Sequence, residues 1–251
     1  MKSDKRIWES LGASDPYFAV ATIDKFHKGK LDEKAVDDFF ESGREYVGHL
    51  WEDFAGALDV DPKPKRAVDF GCGVGRVLIA LAERCETVVG VDISESMLSE
   101  ARKNCASRGL TNFELVETEK FFQSPQTFDL VHSVIVLQHI DPKIGVTIIE
   151  NLVGMLEAGG IGMLHVTYFD GAATLRKFKN RIYRRLPLLP KLANKVRGRE
   201  NSYWSPMHTY DLNQVLKVLQ DNGCHNVAVR FSDHGLLGAM IFFEKRALTK
   251  Y

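Results

Sequence analysis

The stretch at residues 65–96 constrains the fold more than any other part of the chain. A short apolar run at 67–70 leads into a glycine-rich turn at 71–75, and a helical apolar pattern follows the turn. A second apolar run at 87–91 ends at the carboxylate of Asp92. This order of strand, tight loop, helix, strand and carboxylate predicts a nucleotide site at one edge of an α/β sheet.

Each part of this stretch has a physical reason to bind a nucleotide. The turn glycines Gly71, Gly73 and Gly75 can adopt positive φ and let a ligand lie against the backbone. The helix that follows directs its free N–H groups and the positive end of its dipole at the turn. Asp92, at the end of the second strand, is placed to accept hydrogen bonds from ribose hydroxyls.

The glycine spacing separates this loop from a dinucleotide site. A G-x-G-x-x-G fingerprint counted from the first glycine would place its third glycine at Arg76, whereas the chain has Gly75. The sequence VDFGCGVGR resembles motif I of the class I S-adenosylmethionine-dependent methyltransferases, and residues 92–94 with Met97 resemble the second motif of that family. The resemblance covers residues 61–166 and implies S-adenosyl-L-methionine as the cofactor.

The resemblance also implies the fold class, which is α/β with a Rossmann-like, doubly wound, seven-stranded sheet. The implied strand order is 3-2-1-4-5-7-6, with the last strand pair antiparallel. Apolar runs in the sequence predict the third strand at 112–116, the fourth at 127–137 and the fifth at 161–168. The last two strands are predicted at 226–231 and 239–245.

Residues 1–60 are predicted to form an N-terminal helical cap, and residues 61–251 the S-adenosylmethionine-binding methyltransferase domain. The cap lacks strand alternation, and the sequence DPY at 15–17 is a typical helix start. Most aromatic side chains of the cap are expected to pack on the core of the sheet. The candidates for a lid over the substrate are Trp8, Tyr17, Tyr46 and Trp51.

A substrate-selecting insertion is predicted at residues 171–208, before the last helix. Between 176 and 199 it carries a run of Lys and Arg that no acid interrupts. Three interpretations stay open: a solvated surface helix, a clamp for an anionic substrate or RNA, and a surface that docks onto anionic lipid. Because the formal net charge of the chain is zero, acids elsewhere balance this basic run.

The composition is that of an ordinary globular protein. The 251 residues suffice for one α/β domain with additions, and the zero net charge gives no strong signal for nucleic acid. The four cysteines form no CxxC pair and no zinc spacing, so no metal is expected. The N-terminus lacks the apolar core of a signal peptide, and no apolar run is long enough to cross a bilayer. We therefore expect a cytoplasmic protein, and the oligomeric state stays open.

The resemblance assigns cofactor roles to residues around the turn. Asp69 and Arg76 are expected near the ammonium and carboxylate of the methionine part, and Asp92 at the ribose. The contact with the adenine amino group stays open between Glu117 and Thr118, because the chain reads ETE at 117–119 where many relatives carry a Gly-Asp pair. The remaining expected cofactor residues are Gly71, Cys72, Gly73, Gly75, Ile93, Met97, Ser133 and Gln138.

The acceptor side of the site is less clearly marked. Methyl transfer from a sulfonium is an in-line displacement that depends on proximity and alignment. A general base is required only where the acceptor arrives protonated and is a weak acid. His139, after the fourth strand, is the candidate base, since a neutral imidazole can remove a proton near neutral pH. A structural histidine on the rim is the open alternative. The candidate substrate-binding residues are Tyr17, Tyr168, His208 and Tyr210.

Two missing motifs narrow the class of acceptor. The Asn/Asp-Pro-Pro-aromatic sequence of enzymes that methylate nucleic-acid bases is absent after the fourth strand, where residues 133–139 read SVIVLQH. The paired-glutamate loop of protein arginine methyltransferases is also absent. The chain therefore resembles the small-molecule branch, which methylates oxygen or nitrogen of metabolites, sugars, quinones or lipids. The alternatives are an RNA- or membrane-lipid-directed enzyme that uses the basic run, and a cofactor-binding interaction protein without turnover.

Overall fold

A computed structural model describes residues 2–171, 207–233 and 236–246. Within these residues seven strands form one sheet in the order β3-β2-β1-β4-β5-β7-β6. Strands β1 to β5 run parallel, and β7 is antiparallel to both β5 and β6. The strands are β1 Arg66–Phe70, β2 Thr87–Asp92, β3 Phe113–Glu117, β4 Phe128–Ser133, β5 Leu156–Phe169, β6 Cys224–Asp233 and β7 Leu237–Lys245. The predicted fold class and strand order are confirmed.

Helices cover both faces of the sheet in the described part of the chain. They are α1 Lys2–Ser14, α2 Pro16–Val20, α3 Glu33–Leu58, α4 Arg76–Ala82, α5 Glu95–Ser107, α6 Thr118–Phe121, α7 Pro142–Gly154 and α8 Leu212–Asp221, with short 3₁₀ helices at Asp24–Phe26 and Leu137–His139. Helices α3, α4 and α5 contribute to the apolar core on one face, and α6, α7 and α8 to the core on the other. Burial on both faces explains the continuous apolar runs of the central strands.

Short polar side chains begin the main helices. Each accepts a hydrogen bond from a backbone N–H of the first turn, which would otherwise have no partner. The residues that do so are Asp32 before α3, Ser94 before α5, Asp141 before α7 and Asp211 before α8. Helix α2 differs, because Asp15 makes no such bond. Its carboxylate instead pairs with Nδ1 of His27 at 2.6 Å, so this acid ties two segments of the N-terminal region together.

Element boundaries differ from the prediction in detail. Strand β4 ends at Ser133, before the predicted limit at 137, and Phe39 and Phe54 lie on one helix of 26 residues, α3. Helix α7 ends at Gly154, and β5 begins at Leu156, five residues before the predicted start. Leu156 is buried and pairs with Phe128 of β4, so tertiary packing extends the strand through a glycine pair that resembles a helix end.

Several predictions concern residues that the structure does not describe. Most of the predicted insertion at 171–208, including the whole basic run at 176–199, lies outside the described residues. The division into a cap at 1–60 and a catalytic domain at 61–251 stays a prediction, although helices α1 to α3 do occupy the first of these ranges. Among the described helices, none combines the length and apolar character needed to span a membrane.

Candidate active site

The glycine turn folds back onto the end of β2. Gly71, Gly73 and Gly75 have φ of 83°, 53° and 93°, a region that side chains with a Cβ rarely adopt. The N–H groups of Gly71 and Cys72 both donate to the carbonyl of Val91, at 2.7 and 3.0 Å. This arrangement leads the chain directly from the turn into α4, so the N-terminus of α4 opens at the carboxyl edge of the sheet.

Asp92 lies at the centre of this edge. Its two carboxylate oxygens accept hydrogen bonds from the N–H of Gly73 and the N–H of Ser94, both at 2.9 Å. Burial raises the pKa of the Asp92 carboxyl to about 6, against the opposing effect of these hydrogen bonds. The carboxylate is therefore ionised at neutral pH and is held between the turn and the start of α5.

Helix α1 crosses the carboxyl ends of three strands. Lys5 pairs with Glu117 at the end of β3, at 3.1 Å. The Glu9 carboxylate accepts from the Ser94 hydroxyl at 2.9 Å, just after β2. The Trp8 ring lies edge-on to the His139 ring, with 5.0 Å between the ring centroids, just after β4.

The Glu9 carboxylate also joins α1 to the first turn of α5. It accepts from the hydroxyl and the N–H of Ser96, the second of these at 3.2 Å. These bonds, led by the Ser96 hydroxyl, lower the pKa of Glu9, so the group stays ionised at the positive end of the α5 dipole. Helix α1 is therefore fixed over the site by polar contacts with the turn after β2.

Helix α2 supports the glycine turn from the side. A Cβ at Gly73 would lie 2.6 Å from Cγ2 of Val20, so the turn and α2 are in close contact. The Tyr17 hydroxyl donates to Oδ1 of Asn104 at 2.8 Å, and Nδ2 of Asn104 donates to the carbonyl of Val74 at 3.0 Å. Tyr17 is buried, and burial raises its pKa to about 12. This position does not favour its predicted contact with substrate.

Asp69 and Arg76 both contact residues that link them to α3. The Asp69 carboxylate is buried and lies 2.8 Å from Nδ1 of His132. Arg76 donates to the carbonyl of Ser42 at 3.2 Å, and its guanidinium lies 5.5 Å from the ring centroid of Tyr46. Burial lowers the pKa of Arg76. The expected proximity of these two residues to the methionine part of the cofactor stays a prediction.

The other predicted cofactor residues line the same edge. Ser133 is buried and donates from Oγ to the carbonyl of Phe70 at 2.9 Å. Met97 is buried in the first turn of α5. Ile93 is half-buried directly after β2, and Cys72 is buried within the turn, where burial raises its thiol pKa well above the ordinary value.

Glu117 and Thr118 differ in what they already contact. Glu117 pairs with Lys5 and with Lys120, at 3.1 and 3.2 Å, and these lysines lower the pKa of its carboxyl. Thr118 is buried at the first position of α6, immediately after β3. Of the two candidates for the adenine contact, Glu117 is therefore already engaged in two ion pairs, whereas Thr118 is neutral.

The acceptor side begins at the short 3₁₀ helix that follows β4. His139 is half-buried there, and its Nε2 lies 3.2 Å from Nε2 of the buried Gln138. The N–H of His208 donates to the carbonyl of Gln138 at 2.8 Å, and the carbonyl of His208 accepts from the Thr167 hydroxyl. The structure thus brings His208 beside the segment that carries His139.

Two predicted substrate residues take other positions. Tyr210 is buried beneath the 3₁₀ helix, where its hydroxyl donates to the carbonyls of Leu137 and Ile140 at 2.8 and 3.1 Å. Burial raises the pKa of this phenol. Tyr168 is half-buried at the end of β5, with its ring centroid 5.9 Å from that of Phe231. Tyr210 therefore supports the site from below, and its predicted contact with substrate is not favoured.

The four lid candidates are also separated by the structure. Trp8 alone lies against a candidate catalytic residue. Trp51 packs instead near the C-terminal end of α4, where its ring centroid is 5.6 Å from the Arg84 guanidinium and 6.5 Å from the Phe54 ring. The Tyr46 hydroxyl lies 2.9 Å from Nε2 of His132, whose other ring nitrogen contacts Asp69. A lid role is therefore favoured for Trp8 and not for Trp51.

Three residues at this edge were not singled out from the sequence. Glu9 joins α1 to α5, His132 contacts Asp69, and Ile135 follows β4 with a φ of 60° and 36% of its surface exposed. A β-branched residue at positive φ is strained, and such strain concentrates at functional sites. Only His132 left a sequence signal, because aligning the carboxyl ends of the first and fourth strands pairs it with Asp69.

No metal site is formed within the described ranges. There, no three His, Cys, Asp or Glu side chains are grouped so that they could hold an ion.

Comparison with known proteins agrees with this geometry. The family model described as a methyltransferase domain matches residues 67–160. The ubiquinone biosynthesis O-methyltransferase of Coxiella burnetii is 32% identical over 143 residues, which are 55% of this chain and 60% of that enzyme. The enzyme of the same name from Methylococcus capsulatus is 37% identical over 81 residues, 31% of this chain and 34% of that enzyme. The chain therefore matches less than two thirds of the length of these relatives.

Solved structures share the fold at lower identity. Magnesium protoporphyrin IX methyltransferase from Synechocystis, crystallised with bound SAH, superposes with a TM-score of 0.62 at 20% identity, covering 96% of this chain and 99% of that one. The N-methyltransferase NodS from Bradyrhizobium japonicum, in complex with S-adenosyl-L-homocysteine, superposes with a TM-score of 0.60 at 16% identity and covers 97% and 99%.

The family match identifies residues 67–160 as a methyltransferase domain, and the strand order is the one implied by the resemblance first drawn from the glycine turn and from Asp92.

Proposed function

We propose that this chain binds S-adenosyl-L-methionine and transfers its methyl group to an oxygen or nitrogen of a small-molecule acceptor. The observation that carries the proposal is the arrangement of Asp92 and the glycine turn at the carboxyl edge of the sheet. There the Asp92 carboxylate and the turn glycines, which carry no Cβ, face the same ligand position. This is the position at which α/β sheets bind nucleotides. The match of residues 67–160 to a methyltransferase domain supports the same conclusion.

The residues of the turn fit this cofactor. A Cβ at Gly71 would lie 2.1 Å from Cγ2 of Val136, so only glycine keeps the turn in contact with the segment after β4. Asp92 exchanges its bond from the Gly73 N–H for bonds from the ribose hydroxyls. Ile93 and Met97 flank the base. Because the carboxylate of Glu117 is already paired with two lysines, Thr118 is the better candidate for the adenine contact.

When bound, the cofactor supplies a methyl group that its positive sulfur already activates. The protein then has to align the acceptor with that methyl group and exclude water, and proximity of this kind supplies about 7–11 kcal/mol in favourable cases. Helix α1 helps to exclude water from the site, because it crosses the carboxyl ends of β2, β3 and β4. His139 serves as the general base that removes the proton from an acceptor hydroxyl or amine.

An oxygen acceptor has the stronger support. The relatives from Coxiella burnetii and Methylococcus capsulatus are both named O-methyltransferases of ubiquinone biosynthesis. At the acceptor side, the apolar side chains of Ile135 and Phe169 are 36% and 53% exposed, so an acceptor with an apolar body would find matching surface there. A phenol or catechol that carries an apolar substituent is therefore the acceptor class to test first.

Two measurements on the full chain test the proposal. Isothermal titration with S-adenosylhomocysteine should show binding at one site, and the Asp92→Ala variant should bind at least about tenfold more weakly. Transfer of labelled methyl from S-adenosylmethionine should then be followed with a panel of substituted catechols, phenols and amines. Absence of binding by the folded wild-type chain would refute the cofactor assignment. Binding without transfer to any member of the panel would refute the acceptor class and favour an interaction protein.

The alternative enzyme, directed at RNA or membrane lipid, depends on the basic run at 176–199, which lies outside the described residues. No described residue favours it over a small-molecule acceptor.

A further inference from the structure

A buried chain of three side chains lies behind the glycine turn. His132 is on β4, is fully buried, and pairs in register with Asp69 of β1. Its Nδ1 lies 2.8 Å from Oδ1 of Asp69, and its Nε2 lies 2.9 Å from the hydroxyl of Tyr46 on α3. The predicted roles of the site leave His132 and this hydroxyl without a function.

The positions of the protons in this row of three side chains follow from the groups at its two ends, the Asp69 carboxylate and the Tyr46 hydroxyl. A carboxylate only accepts hydrogen bonds, so Nδ1 of His132 carries the proton and donates it to Asp69. Nε2 is then the acceptor, and the Tyr46 hydroxyl donates to it. Burial raises the pKa of the Tyr46 phenol, so it keeps this proton. Each donor among these three side chains therefore has one acceptor, and the hydrogen bonds run from Tyr46 on α3 through His132 on β4 to Asp69 on β1.

This arrangement engages one carboxylate oxygen of Asp69 in a hydrogen bond and leaves the second oxygen for another donor. Among the described residues, none donates a hydrogen bond to Oδ2 of Asp69, whereas Oδ1 is held by His132. Asp69 lies two residues before Gly71 in the sequence, so its carboxylate is near the start of the turn. A carboxylate whose orientation is fixed in advance binds an ammonium group more tightly, because it does not have to be ordered on binding.

We propose that His132 and Tyr46 are positioning residues, which hold the Asp69 carboxylate so that its second oxygen receives the ammonium group of the bound cofactor. This inference rests on the proposed function, since it assumes S-adenosylmethionine in the site. It extends that function by making helix α3 part of the recognition of the amino-acid end of the cofactor. The Tyr46 ring also lies beneath the Arg76 guanidinium. Tyr46 therefore supports both charged residues expected at that end of the cofactor, Arg76 directly and Asp69 through His132.

Ligand truncation distinguishes positioning from simple stabilisation. S-adenosylhomocysteine carries the ammonium group, whereas 5′-methylthioadenosine has the same nucleoside and sulfur but no amino-acid end. A positioning role predicts that Tyr46→Phe and His132→Leu weaken binding of S-adenosylhomocysteine and leave binding of 5′-methylthioadenosine unchanged. We expect a loss of about threefold for Tyr46→Phe and about tenfold for His132→Leu, the size of one charge-assisted hydrogen bond.

Two further variants complete the test. His132→Asn keeps an N–H in the place of Nδ1, so it should recover most of the affinity for S-adenosylhomocysteine that His132→Leu loses. Tyr17→Phe is the matched control, because it removes another buried hydroxyl from an N-terminal helix, one that donates to Asn104. It should leave the ratio of the two affinities unchanged. Tyr46→Phe retains the ring and its packing, so the test survives if the histidine variants fail to fold.

The outcomes separate this inference from the proposed function. If wild type binds neither ligand, the proposed function fails. If wild type binds both ligands and the variants weaken both equally, His132 and Tyr46 only stabilise the fold, and the positioning role is overturned. It is also overturned if well-folded variants bind both ligands as wild type does.

Discussion

The two halves of the candidate site are built in different ways. The proposed cofactor half is built around the turn at 71–75 and the Asp92 carboxylate, which lie close together in sequence, and distant side chains support it only from behind. The proposed acceptor half consists of His139, Tyr168 and His208, together with Trp8, and these residues come from elements that are distant in sequence. The comparison teaches that a common cofactor imposes a local pattern on the sequence, whereas an acceptor is recognised by a surface that the whole fold assembles.

The largest expected effect separates the two halves by catalysis. His139→Gln removes the proposed base and should lower kcat by about 10²–10⁴, measured with the acceptor that reacts fastest in the panel. Binding of S-adenosylhomocysteine should stay within about twofold of wild type, because His139 belongs to the acceptor half alone. An unchanged kcat would return His139 to the open alternative, a structural histidine on the rim.

The next effect is on the stability of the cofactor half. Gly71→Ala places a Cβ 2.1 Å from the Val136 side chain at a φ of 83°. The strain of positive φ costs about 1–2 kcal/mol, and the overlap adds about 1–3 kcal/mol. Gly109→Ala is the matched control, since Gly109 has a φ of 70° and no atom within 4 Å. Urea unfolding should show the larger loss of free energy for Gly71→Ala, and equal losses would contradict the close contact between turn and Val136.

A pH dependence tests Asp92 itself. The pKa of this carboxyl is raised by burial to about 6, and only its ionised form can accept charge-assisted hydrogen bonds from the ribose hydroxyls with both of its oxygens. Affinity for S-adenosylhomocysteine should therefore be constant well above pH 6 and fall as the pH drops through 6, reaching about a tenfold loss at pH 5. Asp92→Asn should bind more weakly at pH 7.5 and should lose most of this dependence. A profile that is the same in wild type and Asp92→Asn would exclude Asp92 as its source.

The smallest effect concerns the contact between α1 and the acceptor half. Trp8→Ala removes the ring that lies against His139 and should raise the KM for the panel acceptor by about three- to tenfold. Trp51→Ala, which removes a ring that lies against Arg84 and Phe54, is the control for loss of a tryptophan and should leave this KM unchanged. Equal effects of the two substitutions on KM would show that Trp8 acts through stability and not as part of a lid.

The same contrast explains what the sequence revealed. The turn and Asp92 were predictable, because they depend on glycine spacing and on apolar runs that lie next to each other in the chain. The strand order followed from the family resemblance that this stretch carries. The contact of Glu9 with Ser94 was not, since the two residues lie on different elements and any of several surface acids would have fitted the pattern equally well. The packing of Tyr17 and Tyr210 was not predictable for a related reason. A tyrosine near a site in sequence lines a pocket or supports it according to packing, and here both hydroxyls are buried against partners.

The most direct test is a crystal structure of the full chain with S-adenosylhomocysteine. We predict that both ribose hydroxyls lie within hydrogen-bond distance of Asp92, that the ammonium group contacts Oδ2 of Asp69, and that the sulfur faces the segment carrying His139. A ligand bound elsewhere, or bound with Asp92 still paired to the Gly73 N–H and far from the ribose, would contradict the central claim that the turn and Asp92 form the cofactor half of a methyltransferase site.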